Sequence, residues 1–535
     1  MEKDEQLIVH LKKQGVDNKM VMGHPAGLLV LFFTEMWERF SYYGMRALLT
    51  LFLVSTLADG GWEWTRAEAM NLYGWYTGFV YLTPILGGII ADKLTGYRKA
   101  ILIGALMMTL GHASMALETV NNNFFFIGLG LLILGNGMFK PNISTMVGQL
   151  YPDNSAKKDA GYTIFYMGIN AGAFLGMLLC GYIGEKIGWH YGFGLAGIFM
   201  FFGMLQFYFA RTYFGRIGLD PKMLTVQGEE IDEIEQIGSE EIVKKDEEEV
   251  SPKVIRDRLI VIGVLIFFSI FFWLSFEQAG GSMNIFALDY TQRVLDGNAA
   301  VAFKWIDAAL TLFPLIIVSL VLFGLAKQLI KQYPATIIAT LISFIIIWIL
   351  GIWKIQREFT ALETEVVASW FQILNAFFII TLAAVFSKIW EKVWNPSGPV
   401  KFAMGLFLLG VGFVVLAYGS KDIPQGAATA SVSMIWLIAA YFFHTTGELC
   451  LSPVGLSYVS KLSPKKLIGL IFGLWFASSA IANFIGSQLG GLIDKISTEY
   501  SMSHFFGLFA ALPWTAALIL LLLTPLLKKM MHGIR

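Results

Sequence analysis

Along this 535-residue chain, long apolar blocks alternate with short polar connections. A helix needs roughly 20 apolar residues to cross the hydrocarbon layer of a bilayer, and blocks of that length recur almost from end to end. The pattern predicts membrane-spanning helices at about 26–55, 71–92, 98–117, 123–147, 160–184 and 190–210. A charged stretch, 211–256, contains GEEIDEIEQIGSEEIVKKDEEEV and reads as a solvated linker. Helices at about 257–290, 306–328, 334–354, 367–390, 401–420, 432–458, 466–488 and 504–528 then bring the count to fourteen. The expectation is an all-α integral membrane protein: an N-terminal six-helix bundle over 1–210, the linker over 211–256, and a C-terminal bundle over 257–535.

Composition sharpens this and removes other classes. The chain is 56% hydrophobic and 15% charged, as a lipid-embedded protein should be. Its net charge of zero offers no basic surface for nucleic acid. Cys180 and Cys450 both sit in apolar runs, where neither a disulfide framework nor a metal cluster is expected. His24, His112 and His444 have no Glu or Cys arrangement of a metal site and read as packing or interface residues. No nucleophile, metal or nucleotide motif emerges, so the chain is not expected to be an enzyme or to bind a cofactor. The polar N-terminus lacks the short apolar segment of a cleavable signal peptide, which would leave the first span in the mature protein. Lys/Arg-rich connections at 93–99, 155–161, 327–334, 391–401, 461–466 and the tail 528–535 fall on one side, which predicts cytoplasmic termini.

The first helix carries the least expected chemistry. Within its apolar run stands TEMWERFSYYG, Thr34 to Gly44, with Glu35, Glu38 and Arg39, and Arg46 two turns on. Glu35, Glu38, Arg39 and Tyr42 follow the three-and-four spacing that lines up side chains on one helical face. A charge at the lipid-facing middle of a helix costs about 2.5–3.5 kcal/mol on insertion scales, so this stripe should face protein or a water-filled cavity. It is either an internally neutralised network or a site with one surplus carboxylate free to take up a proton. Lys140, Glu277 and Glu448 lie in three further spans. Together these charges suit a polar cavity that takes protons and a ligand with charges of its own. A zwitterion fits, its carboxylate toward Arg39 and Lys140 and its ammonium toward Glu448. Asn170 and Asn375 are amides that either serve their own helices or meet an amide ligand. Tyr42, Tyr81, Tyr166, Trp273 and Trp475 are aromatic residues of the same spans that either pack or line pockets.

These segments resemble a known family. EMWERFSYYG is similar to the ExxERFxYYG signature of the proton-dependent oligopeptide transporters, within the major facilitator superfamily. GMFKPNIS (137–144), FYMGINAGAFLG (165–176), FWLSFEQAGGS (272–282) and GELCLSPVGLSYVSKLSP (447–464) look like further family segments in the family's order. GGIIADKLTGYRK (87–99) looks like the general superfamily loop motif. The resemblance implies a symporter that couples inward proton movement to uptake of di- and tripeptides by alternating access in a bacterial plasma membrane, working as a monomer among lipids, with protons as the only coupling species. It implies proton-coupling roles for Glu35, Glu38, Arg39, Lys140 and Glu277, the last pairing with Lys140 to help close the extracellular side. It implies that Arg39 and Lys140 approach the peptide carboxylate, that Glu448 takes the amino terminus, and that Asn170 and Asn375 contact the backbone. Tyr42, Tyr81, Tyr166, Trp273 and Trp475 match positions that shape side-chain pockets.

Two departures stand out. Ala376 and Ala384 occupy positions where relatives carry prolines, which restores backbone donors and argues against a kink. Relatives with two extra helices carry them between the halves, whereas here an accessory hairpin, about 306–354, separates the Glu277 helix from the Asn375 helix. A carrier of another small anionic or zwitterionic solute is the close alternative; a channel or a substrate-sensing receptor is the more distant one.

Overall fold

The computed structural model describes residues 2–152, 155–220, 251–464 and 467–534. Most of the linker expectation, residues 221–250, and Lys465 and Lys466 of the 461–466 connection lie outside the described residues. A short helix, α1 (Glu2–Lys13), precedes the first span, and its His10 ring meets the Gln149 carbonyl at 3.0 Å. The first six crossings are α2 (Ala26–Val54), α3 (Arg66–Ile90), α4 (Gly96–Met115), α5 (Asn123–Gln149), α6 (Ala156–Lys186) and α7 (Trp189–Ala210). The second part opens with α8 (Pro252–Phe276), which a 3-10 turn, Glu277–Gly280, joins to α9 (Ser282–Asp289). It continues with α10 (Gly297–Leu329), α11 (Pro334–Thr360), α12 (Ile373–Lys392), α13 (Gly398–Gly419), α14 (Ile435–Leu462), α15 (Ile468–Gly490), the short α16 (Ile493–Glu499) and α17 (Met502–Met530).

With α8–α9 and α15–α16 each making one crossing, the fourteen expected spans are all present. Eleven stretches among the described residues are long and apolar enough to cross a membrane, with α3 and α4 running together as one. The charge-bearing α2 and α14 complete the set. An even number of crossings brings both chain ends to one face, the terminal face, leaving the other as the far face.

Local chemistry explains the ends. Thr65 and Glu68 form a reciprocal capping box at the start of α3, and Pro252 and Pro334 occupy first-turn positions where a missing N–H costs nothing. The α12 helix runs unbroken through Ala376 and Ala384, as expected without prolines. One boundary differs: α10 begins at Gly297, not near 306, and so takes in Lys304. Asp307, inside the helix as expected, is buried in an ion pair with Lys354, so its charge is neutralised by a partner on the next helix. Three two-residue pairings are too short for alternation to reveal. They are β1 (Met20–Val21) with β2 (His24–Pro25), β3 (Thr291–Gln292) with β6 (Val432–Ser433), and β4 (Val294–Leu295) with β5 (Thr364–Glu365).

Helices α2, α6 and α7 pack together, as do α3, α4 and α5; in the second part α13 packs on α14 and α17, and α8 on α15. The tightest approach is between α2 and α6. A Cβ at Gly172 would lie 2.1 Å from the Met36 carbonyl oxygen, and one at Gly176 2.2 Å from that of Phe40. Only glycine lets the two backbones come this close. The spacing in GINAGAFLG therefore brings the charged stripe of α2 against α6.

The two parts meet firmly toward the far face. Arg66 pairs with Asp289 at 2.7 Å and Asp494 at 2.5 Å. Thr50 donates to the Gly280 carbonyl at 2.9 Å, and Asn284 to that of Ala47 at 2.9 Å. There α3 packs on α15, with Gly74 against Ser487; toward the terminal end of α15, open space adjoins Gly469 and Gly473.

Candidate substrate and proton site

Burial of α2 brings its charges into direct contact. Arg39 Nε stands 2.7 Å from Glu35 Oε1 and 2.7 Å from Glu38 Oε2, all three side chains almost inaccessible. Asn136 of α5 donates to Glu38 Oε1 at 3.0 Å. One guanidinium thus faces two carboxylates. The surplus negative charge in a desolvated setting is best relieved by a proton or by a second cation.

Lys140 supplies that cation. Its ammonium sits over the Tyr81 ring, 5.1 Å from the centroid, within electrostatic reach of Arg39, Glu38, Glu35 and Glu277. The Tyr42 ring lies under Arg39 at 5.7 Å and edge-on to Tyr43. Across from them, Asn375 of α12 donates to Glu448 of α14 at 2.9 Å and to Thr445 at 3.2 Å. Glu448 is within electrostatic reach of Glu277, Tyr43 and Tyr166. Bases on α2 and α5 and an acid on α14 therefore share one region between the two parts.

The remaining expected residues divide. Tyr166 is half exposed, and its carbonyl accepts from Asn170 at 3.0 Å, so that amide serves its own helix. Trp273 packs edge-on against Phe272 and Phe276. Trp475 is buried against Phe402 and Gly455, inside the second part. His112 and His444 are buried, His444 against Phe413, and no metal-binding cluster occurs among the described residues.

One expected pairing is corrected. Glu277 is bonded to Arg46 at 2.6 Å, not to Lys140. Arg46 also donates to the Tyr73 hydroxyl at 3.0 Å and lies over the Tyr43 ring at 5.7 Å. The reason is position: Arg46 is one turn beyond Tyr42, at the depth where α8 gives way to the 3-10 turn carrying Glu277. The spacing from Arg39 to Arg46 is a signal for the same helical face, but a partner on a distant helix is not visible in it. Tyr73 and Asn136 were likewise unmarked by any motif.

Comparisons with known proteins agree with this geometry. A model of the POT family matches residues 98–231 and 334–514. The peptide transporter YePEPT of Yersinia enterocolitica is 32% identical, over 95% of this chain and 96% of its own length. A di-/tripeptide transporter of Lactococcus lactis subsp. cremoris is 31% identical, over 97% of this chain and 98% of its own. The crystal structure of a peptide transporter POT in complex with sulfate superimposes with a TM-score of 0.72 at 29% identity, covering 99% of both chains. With the charged stripe on α2, the acid on α14 and the fourteen-helix architecture on the same chain, this protein is a member of the POT family of membrane transporters.

Proposed function

We propose that this protein is a proton-coupled symporter that imports di- and tripeptides by alternating access. One observation carries the reading: Arg39 and Lys140 stand on the first part and Glu448 on the second, with aromatic rings and Asn375 among them. A short peptide spans such a site with its carboxylate toward the bases and its ammonium toward the acid. Each charge-assisted contact is directional, and together they select for a free amino and a free carboxyl end.

The coupling follows from the same groups. A proton on Glu35 or Glu38 weakens that carboxylate's hold on Arg39 and releases the guanidinium toward the peptide carboxylate. The Arg46–Glu277 pair joins α2 to the second part on the closed far side, and its loss favours opening there. A ligand or proton shifts such an equilibrium only through its different interaction with the two states. Protons are the coupling species in this scheme. The Lys/Arg-rich connections support a cytoplasmic terminal face. The captured arrangement then faces inward, in a bacterial plasma membrane, with one chain and its surrounding lipid as the working unit.

The test is competition uptake in sealed proteoliposomes with an imposed inward proton gradient. Di- and tripeptides should be accumulated and compete with one another, whereas tetrapeptides should not. Gradient-independent or non-saturable flux would sink the symporter reading.

A further inference from the structure

The hairpin α10–α11 is inserted between α9 and α12, so its covalent neighbours belong to the second part. Its packing does not follow that connectivity. The α11 helix lies along α7, and α10 meets α6, α2 and β1. At the terminal face, Lys19 Nζ donates to Gln332 Oε1 at 2.5 Å, and the Tyr213 and Tyr333 rings stand 5.6 Å apart. At mid-depth Phe344 meets Phe33 and Trp37 of α2, each at 5.6 Å. Toward the far face the Tyr182 hydroxyl donates to Glu358 at 2.7 Å, and Lys186 of α6 pairs with Glu365. The hairpin is thus fastened to the first bundle at both ends and in the middle.

Within the hairpin, Lys354 is ion-paired with Asp307 and donates to Thr311 at 3.0 Å, with both charged side chains almost fully buried. The ammonium also lies over the Trp370 ring at 4.4 Å. Separating α10 from α11 would strand a buried charge, so the pair behaves as one piece. The strap after the hairpin is tied to the first bundle as well: Glu185 of α6 accepts from the amides of Ala368 and Ser369, each at 2.9 Å, and Trp370 Nε1 donates to the Leu178 carbonyl at 3.0 Å. On the entry side the allegiance changes within a few residues. Thr291 and Gln292 pair with Val432 and Ser433 of the second part. The Arg293 carbonyl, by contrast, accepts from Val366, and Val294 and Leu295 pair with Glu365 and Thr364 of the strap.

We propose that the hairpin and its strap, Arg293 to Gln372, are carried by the first bundle as one rigid body. The chain then flexes at the Gln292–Arg293 and Gln372–Ile373 junctions when the two parts rock. Asn375, which holds Glu448, lies in the first turn of α12 just past the second junction. The second hinge therefore lies directly beside the acid end of the substrate site. This inference rests on the alternating-access reading above.

The test compares bridges made by a short bismaleimide in full-length protein in proteoliposomes, with buried Cys180 and Cys450 left in place. The pairs Lys19→Cys/Gln332→Cys and Lys186→Cys/Glu365→Cys join the hairpin and its strap to the first bundle. Arg66→Cys/Asp494→Cys joins the two parts across the far face. Each bridged sample is compared with the same variant before bridging, which removes effects of the substitutions themselves. Proton-driven dipeptide uptake should stay within about twofold for the first two pairs and fall at least tenfold for the third. Arrest by either hairpin bridge, with the third pair also arresting, overturns rigid carriage by the first bundle. Undiminished uptake with Arg66 and Asp494 bridged overturns alternating access itself, and the inference with it.

Discussion

At the residue scale, the site combines two kinds of electrostatic asymmetry. Arg39 faces two carboxylates, and Glu448 is a lone acid held by the Asn375 amide, which also donates to the Thr445 hydroxyl. A hydrogen bond to a charged group contributes about 1.5–3 kcal/mol, so Glu448→Gln should raise KM for free-amino dipeptides roughly ten- to a hundredfold. N-acetylated dipeptides, which carry no ammonium, should show little change between the two proteins, and the ratio of the two KM values checks the assignment. Glu35→Gln cannot take up and release a proton. It should lose accumulation driven by a pH gradient while retaining peptide counterflow at equal pH; full accumulation by the variant would remove Glu35 from the coupling pathway. Tyr73 and Asn136, missed in the sequence, and Arg46, noticed there without its partner, all act through partners on other helices. No local spacing encodes those distances.

At the element scale, two features decide how helices sit. The first is the glycine face of α6 against α2. Gly172→Leu would drive a side chain into the Met36 carbonyl, and overpacking of this kind costs about 1–3 kcal/mol. A lowered melting temperature in detergent, with reduced uptake because the charged stripe is pushed off α6, is the expected outcome. The second is the Asp307–Lys354 pair. Asp307→Asn leaves a buried ammonium unpaired, a loss of about 3–5 kcal/mol in measured cases. The double variant Asp307→Leu/Lys354→Met should recover most of the melting temperature, because removing both charges leaves nothing to desolvate. The two melting curves together distinguish a needed ion pair from a needed shape. The apolar pattern located both hairpin helices, but it did not reach the first nine residues of α10, which include Lys304.

At the scale of the whole molecule, the far face is held by contacts between segments distant in sequence, and one of them depends on pH in a definite sense. Burial alone would raise the Glu365 carboxyl, but bonds from Lys186 and the Arg293 guanidinium more than offset it and hold it below the usual range. A depressed carboxyl stabilises the fold above the unfolded-state value, near 4.3 for Glu, and that contribution disappears as pH falls through the lower folded-state value. The melting temperature of the protein should therefore decline below about pH 4.3, and Glu365→Gln should flatten that part of the curve. A variant with an unchanged acid slope would show that the Glu365 clasp adds nothing to the fastening of the strap to the first bundle.

The sequence by itself determined the number and order of the crossings and the helical face that carries Glu35, Glu38, Arg39 and Tyr42. Each is written in periodicity or span length, which are properties of consecutive residues. Only the tertiary structure decided that Glu277 is bonded to Arg46, that Trp475 is buried within the second part, and that the inserted hairpin lies on the first bundle instead of the one it is joined to. Those outcomes depend on which helices become neighbours once the apolar faces are buried and each intramembrane charge has found the partner that costs least.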